Sequence, residues 1–384
     1  MSQMAKVFEL NRKGLNLVRG VTVAAATMVL PLIVLSALGL EHYWVNVSFG
    51  ALYAWLSDPG GDYAFRLRDM AGVGVIGALL VALGYRIGTG PWGLVVLAAF
   101  AVTVLCGLAM KFGVHRFFAA SLLNSWFLVA IALPGDFQLG HIHTSGWGQG
   151  LAWLIGAALT IAYTCIMWLA AGRAAQPEPI AEIPGGTAPV KLTRPLILFA
   201  VIRAIAISIA VAIAFGLHLP NAQWMPIAAM VAMKPSLQQS TLAAMQRLAG
   251  AIIGAAVAAL FLLAVHSKTA LEVVIVVLGA LAVSILAVNY AFFCAAVAGS
   301  VLIALDLPHP SSLADEGQRV LYTFIGVGIG VLVTLLAGLL QKRTAAQAPP
   351  RRRPKRRQRH LLTKARQGER PGQRHEASAF GGAI

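Results

Sequence analysis

Two arginines lie where arginine is expensive. Arg203 sits nine residues past Arg194 in a long apolar run, roughly 13 Å along a helix that rises 1.5 Å per residue. Arg19 stands near the start of the first such run, and no acid lies three or four residues from Arg203. A guanidinium inside a membrane span costs ~2.5–3.5 kcal/mol on insertion scales. The chemistry such a group offers is to fix a carboxylate with a planar, bidentate fork; snorkelling to lipid phosphate is its other open role. Trp224 and Trp44 each open a short apolar segment. They are either anchors in an interfacial aromatic belt or an aromatic face on a ligand path, because short spans in corresponding positions mark binding sites. Lys234 and Arg247, with Ser236, Gln238 and Gln239 between them, form either an ordinary basic loop or a cationic mouth that gathers organic anions.

Enzyme signatures are missing. His141 and His143 stand near Asp136, but no further ligand has a metal-site spacing. There is no Walker-type phosphate loop, so ATP is not expected as the direct energy source. Asp69, Glu272 and Asp306 fall at the ends of apolar runs, which leaves energy coupling open, since proton relays use mid-span carboxylates. Cys106, Cys165 and Cys294 lie in apolar runs and read as small core residues. No cofactor and no catalysis are expected.

The elements that must hold these residues are membrane helices. Of 384 residues 58% are hydrophobic and 11% charged, and the mean hydropathy is +0.77; soluble domains carry about 25% charged residues. A helix needs ~20 apolar residues to cross a bilayer. Runs near 17–40, 43–57, 69–87, 91–110, 116–133, 149–171, 195–217, 222–234, 242–265, 269–288, 290–305 and 317–340 give about twelve spans. The first run is too long for a signal peptide. Loops on one side hold Lys6, Arg12, Lys13, Arg66, Arg68, Lys111, Arg116, Arg173, Lys191, Arg194, Lys234 and Arg247, against Arg86, Lys268 and Arg319 on the other. The positive-inside rule then places both termini in the cytoplasm. Of the net +16, residues 342–384 supply +11; this basic tail is expected to be disordered and to meet anionic lipid, not nucleic acid.

The Pro- and Gly-rich stretch 174–193 divides the chain into halves at 1–173 and 194–341. The halves resemble each other: Arg19 aligns with Arg203, Trp44 with Trp224, VIGALLVALG (75–84) with IIGAAVAALF (252–261), and GQGLAWLIGAAL (148–159) with GQRVLYTFIGVGI (317–329), allowing one gap. Six spans per half put both in the same orientation. The fold expected is all-α, about twelve transmembrane helices as two parallel six-helix repeats. Gly250/Gly254 and Gly326/Gly330 have the small-xxx-small spacing of close helix packing.

Residues 221–260 (NAQWMPIAAMVAMKPSLQQSTLAAMQRLAGAIIGAAVAAL), with Trp224, Lys234-Pro235-Ser236, Arg247, Gly250 and Gly254, resemble the fusaric acid resistance and aromatic acid exporter family of bacterial inner membranes. Arg203 and the Gly317-Gln318-Arg319 run also fit, while Ala251 stands where the family usually has Thr, and the large cytoplasmic domain that many members carry is here only a linker. The resemblance implies an inner-membrane exporter of aromatic or other organic anions, with Arg203, Arg19, Trp224, Trp44, Lys234 and Arg247 as candidate substrate contacts. The other readings are an anion channel, which the absence of a mid-span carboxylate suits, and a non-transporting envelope scaffold. The Gly-x-x-x-Asp-Arg-x-Gly loop of major-facilitator carriers is absent from 58–69. A second copy or a periplasmic adaptor is the expected protein partner.

Overall fold

The structure, a computed structural model, describes residues 7–11, 14–139, 141–170, 172, 189–219, 223–233, 240–265, 267–307 and parts of 318–333. Among them there is no strand. The helices are α1 (Leu17–Ala37), α2 (Trp44–Leu56), α3 (Tyr63–Gly88), α4 (Trp92–Leu108), α5 (Val114–Leu139), α6 (Gly146–Ala170), α7 (Arg194–Gly216), α8 (Trp224–Ala232), α9 (Ser240–Ala264), α10 (Lys268–Ile285) and α11 (Tyr290–Asp306), with further helical residues between 318 and 333. Seven are long and apolar enough to cross a membrane among the described residues, namely α1, α3, α4, α5, α6, α7 and α10. The basic tail, nearly all of the linker, Lys234 and the Arg247 side chain lie outside what the structure describes.

Local chemistry sets the helix ends. Asn16 accepts from the Arg19 amide at 2.9 Å, Asp62 from the Phe65 amide at 3.4 Å, and Asn289 from the Ala291 amide at 2.7 Å, each satisfying a donor that the first turn leaves over. α3 thus starts at Tyr63, six residues before the run at 69–87 expected from hydropathy, because Asp62 caps it and Arg66 is buried. α1 and α7 end on left-handed residues, Gly39 (φ 69°) and His218 (φ 52°). In both, the next amide reaches back five residues, Leu40 to the Leu35 carbonyl and Leu219 to that of Ala214, which is the Schellman closure. Inside α1, Pro31 has no N–H for the carbonyl one turn before it, and the helix runs as a π segment over Ala25–Val29.

The packing is reciprocal. α4 lies along α7, and α10 along α1; α3 packs on α5 and α6, and α9 on α11. The chain before α1 docks on the α10–α11 turn, where Asn289 Nδ2 donates to the carbonyls of Val7 and Glu9 at 3.0 and 2.9 Å. The chain before α7 docks on the α4–α5 turn, where the Val190 amide donates to the Lys111 carbonyl at 3.0 Å. Glycines permit the closest approaches. A Cβ at Gly156 would meet the Val47 carbonyl oxygen at 1.9 Å, and one at Gly326 the Met225 oxygen at 2.1 Å. Gly250 and Gly254 face Ala291 and Ala295 of α11 in the same way. Gly156→Val is therefore expected to cost several kcal/mol, as overpacking against backbone does, and to remove the monodisperse peak in detergent chromatography; an unchanged peak would refute the contact.

α2 lies wholly inside: all 13 of its residues are buried. By contrast Ile76 and Leu79 on α3, Leu97 and Leu105 on α4, and Val273 and Val277 on α10 are exposed. Outward-facing apolar surface of this extent on long helices is matched to lipid. At one rim Lys268, which begins α10, donates to Glu41 at 2.6 Å. That hydrogen bond holds the Glu41 carboxyl below the ordinary carboxylate range. With the folded value depressed, the contribution is complete above the unfolded value and is lost as pH falls through the folded one. Both side chains are well exposed, so the effect is small and screened by salt. The acid-side slope of melting temperature against pH should be shallower in Glu41→Gln than in wild type; equal slopes would remove the pair from the account.

Candidate functional site

A cavity of about 210 Å³ lies where α2 and α5 meet α8, α9 and α11. Its aromatic lining is Tyr53, Phe118, Trp126, Trp224, Tyr290 and Phe293. Trp126 packs edge-on to Tyr53 at 5.7 Å and stacks on Phe49 at 4.5 Å; Tyr290 stacks on Phe293 at 5.8 Å. Tyr53, Trp126, Tyr290 and Phe293 are thus held by ring contacts and present π surface to the cavity. The Trp224 side chain is 5% exposed, and its indole Nε1 is buried with no hydrogen-bond acceptor among the described residues.

The aligned tryptophan behaves differently. Trp44 Nε1 donates to the Met28 carbonyl, within the π segment of α1, at 2.9 Å. Two residues on, Asn46 bridges the core of its half: its Nδ2 donates to Gln149 Oε1 at 2.6 Å, and its Oδ1 accepts from Trp126 Nε1 at 2.9 Å. Gln149 in turn donates to Thr144 Oγ1 at 3.0 Å. Every polar atom in this chain of contacts has a partner, which makes it a stabilising network. In the other half the position matching Asn46 is Pro226, which has no amide to offer. The residue matching Gln149 is Gln318, whose Oε1 is buried without a partner among the described residues. The Asn46 network closes its polar groups on itself, whereas Trp224 Nε1 is left as a donor beside the cavity.

The arginines are separated. Arg203 is 3% exposed, with Nη1 donating to Ser121 Oγ at 3.4 Å and its guanidinium 5.5 Å from the Phe117 ring centroid. Phe117 and Ser121 lie on the face of α5 toward α7, while Phe118, Leu122 and Trp126 face the cavity. Arg203 is not among the residues lining the cavity; it holds the helix that carries the lining. Arg19 is exposed, with its guanidinium 5.0 Å from the Trp55 ring centroid and close enough to Asp58 and Arg66 to feel their charge. Counted from the left-handed residue that ends each helix, Arg203 is fifteen residues back and Arg19 twenty. The π segment absorbs one residue, so Arg203 lies about one helical turn deeper. The two arginines align in sequence order but occupy different depths.

A charge pair with no counterpart in the hydropathy pattern lies at the end of α2. Arg66 Nε donates to Asp58 Oδ1 at 2.8 Å and Nη2 to Oδ2 at 2.5 Å, with side-chain exposures of 10% and 6%. The Tyr63 ring covers the guanidinium at 4.7 Å, and His115 Nε2 donates to the neighbouring Ser57 carbonyl at 2.8 Å. The signal available in the sequence was the Asp58-Pro59-Gly60-Gly61 turn followed by Arg66 on a capped helix; Tyr53, Trp126 and Phe293 carried none beyond being aromatic.

Residues 207–333, about a third of the chain, match the family described as fusaric acid resistance protein-like. No curated protein and no solved structure matches the chain. The matched region takes in Trp224, Tyr290 and Phe293 from the cavity and starts just after Arg203. With its succession of long apolar helices, this multi-pass membrane protein carries over residues 207–333 a match to the fusaric acid resistance protein-like family.

Proposed function

We propose that the protein exports aromatic or other organic anions across the bacterial inner membrane, and that the aromatic cavity between its two six-helix halves is the transit site. The observation that carries this reading is the cavity itself: six aromatic side chains line it, and one of them, Trp224, has a buried indole N–H with no acceptor among the described residues. An apolar cavity of ~150 Å³ holds benzene, so 210 Å³ suits one ring and a small acceptor group. Ring faces supply stacking and Trp224 supplies a directional donor, the combination of apolar walls and few polar groups that ligand sites use. The family match supports membrane transport, and the resistance in the family's name supports export. The reciprocal packing of α4 on α7 and α10 on α1 supports parallel repeats over 1–173 and 194–341. Arg203 acts here as a positioning residue, through α5, and Arg19 as part of the charged rim.

Cys294 lines the cavity, and the other cysteines, Cys106 and Cys165, do not. With those two replaced by serine, a methanethiosulfonate should modify Cys294, and benzoate or fusaric acid should slow that modification. Labelling at the same rate with and without acid would contradict the site. The basic loops support cytoplasmic termini. Reporter fusions after Gly172 and Gln341 should accordingly read cytoplasm and one near Gly140 periplasm; a periplasmic signal at Gln341 would break the twelve-span arrangement.

A further inference from the structure

A second opening lies away from the cavity. α3 and α4 are joined by a short turn, yet α4 leans on α7 and touches α3 only sparsely. Between them, floored by α5, runs a crevice of about 520 Å³. Its walls are apolar, and Ile76, Leu105 and Phe112 on its rim are exposed. A Cβ at Gly72 would meet nothing within 4 Å. A dry groove between spanning helices is a void on the lipid side, and voids forfeit dispersion contacts unless an apolar chain fills them.

One end of the crevice is charged. Arg68, Asp69, His115 and Arg116 line it. Arg116 Nη2 donates to Asp69 Oδ1 at 3.2 Å, and Asp69 Oδ2 is buried with no partner among the described residues. Arg68 is exposed, and the Arg116 side chain is 40% exposed. From Arg68 to Leu80, the last α3 residue on the wall, the helix rises about 18 Å. The hydrocarbon of one leaflet, half of the ~30 Å core, is roughly 15 Å deep.

We propose that this crevice is a binding site for a phospholipid with an ammonium headgroup. One acyl chain lies along α3 and α4 for the depth of a leaflet. The phosphate meets Arg68 and Arg116, as phosphate meets basic pockets between membrane helices. The ammonium donates to Asp69 Oδ2, the one contact that separates this headgroup from choline, which has no N–H to give. The site is independent of the transported substrate.

Native mass spectrometry of the full chain, with phosphatidylethanolamine, phosphatidylglycerol and phosphatidylcholine at equal concentration, tests this. Wild type should retain the ethanolamine lipid roughly tenfold over the choline lipid, the equivalent of one charge-assisted hydrogen bond. Asp69→Asn should bring the two level. Gly72→Leu, whose Cβ would meet no protein atom within 4 Å at the crevice wall, should lose all three lipids while keeping its chromatographic peak. Equal retention of ethanolamine and choline lipids by wild type, stronger retention of phosphatidylglycerol, or Gly72→Leu protein that still carries lipid would each overturn the proposal. So would a dimer that Gly72→Leu disperses while lipid retention is unchanged, since the crevice would then seat a second copy.

Discussion

Trp224→Phe is expected to raise the KM for aromatic-acid flux about tenfold while leaving membrane abundance near wild type, whereas Trp44→Phe is expected to lower the melting temperature and leave KM alone. Both changes remove the same volume, so the difference between them isolates the indole N–H. At Trp44 that N–H donates to the Met28 carbonyl at 2.9 Å, and losing it removes a buried hydrogen bond worth ~0.5–1.5 kcal/mol. At Trp224 the N–H has no acceptor among the described residues, so its removal relieves a desolvated donor in the empty protein and deprives the bound anion of a hydrogen bond. Tenfold in affinity corresponds to ~1.4 kcal/mol, the size of one such bond. Flux in reconstituted vesicles gives KM, and thermal melts in detergent give the stability. The reverse pattern would move the site to the first half.

The larger effect belongs to Asp58. With the pair 10% and 6% exposed, Asp58→Ala leaves a buried guanidinium with its carboxylate gone, a loss of about 3–5 kcal/mol. That is a large part of the ~5–15 kcal/mol by which a domain is stable, and the protein should be recovered in poor yield or melt many degrees lower. Replacing both partners, as Asp58→Ala with Arg66→Met, removes the stranded charge and should recover most of the loss. A single mutant as stable as wild type, or a double mutant worse than the single, would show that the pair contributes little. The loss at Asp58 should appear in stability before it appears in KM, because no residue of the pair lines the aromatic cavity.

Much of this architecture was legible from hydropathy, because a helix in lipid must satisfy its backbone internally and announces itself as a long apolar run. The short segments opened by Trp44 and Trp224 were legible too, and they do border the cavity. What each residue faces was not. A helix that is apolar all round carries no stripe to say which side is inside, so nothing distinguished Trp126 and Phe293 from lipid-facing aromatics. The depth of each arginine depends on where its helix ends, at Gly39 and at His218, which puts Arg203 about one turn deeper than Arg19; one is buried and the other exposed. The Asp58–Arg66 pair spans a Pro-Gly-Gly turn, a separation with no helical period to reveal it. Charges that read as a basic loop, Arg66 and Arg68, are in fact inside the capped first turns of α3.

The central claim is that aromatic anions cross this protein through the cavity that Trp224 lines. Purified protein in proteoliposomes, loaded with a radiolabelled aromatic acid and assayed with and without a pH gradient, tests it most directly. Wild type should show saturable efflux above protein-free vesicles, and Trp224→Ala, at equal reconstituted amount, should bring it close to that background. Efflux from wild-type vesicles no faster than from protein-free ones, or an unchanged rate in Trp224→Ala, would contradict it.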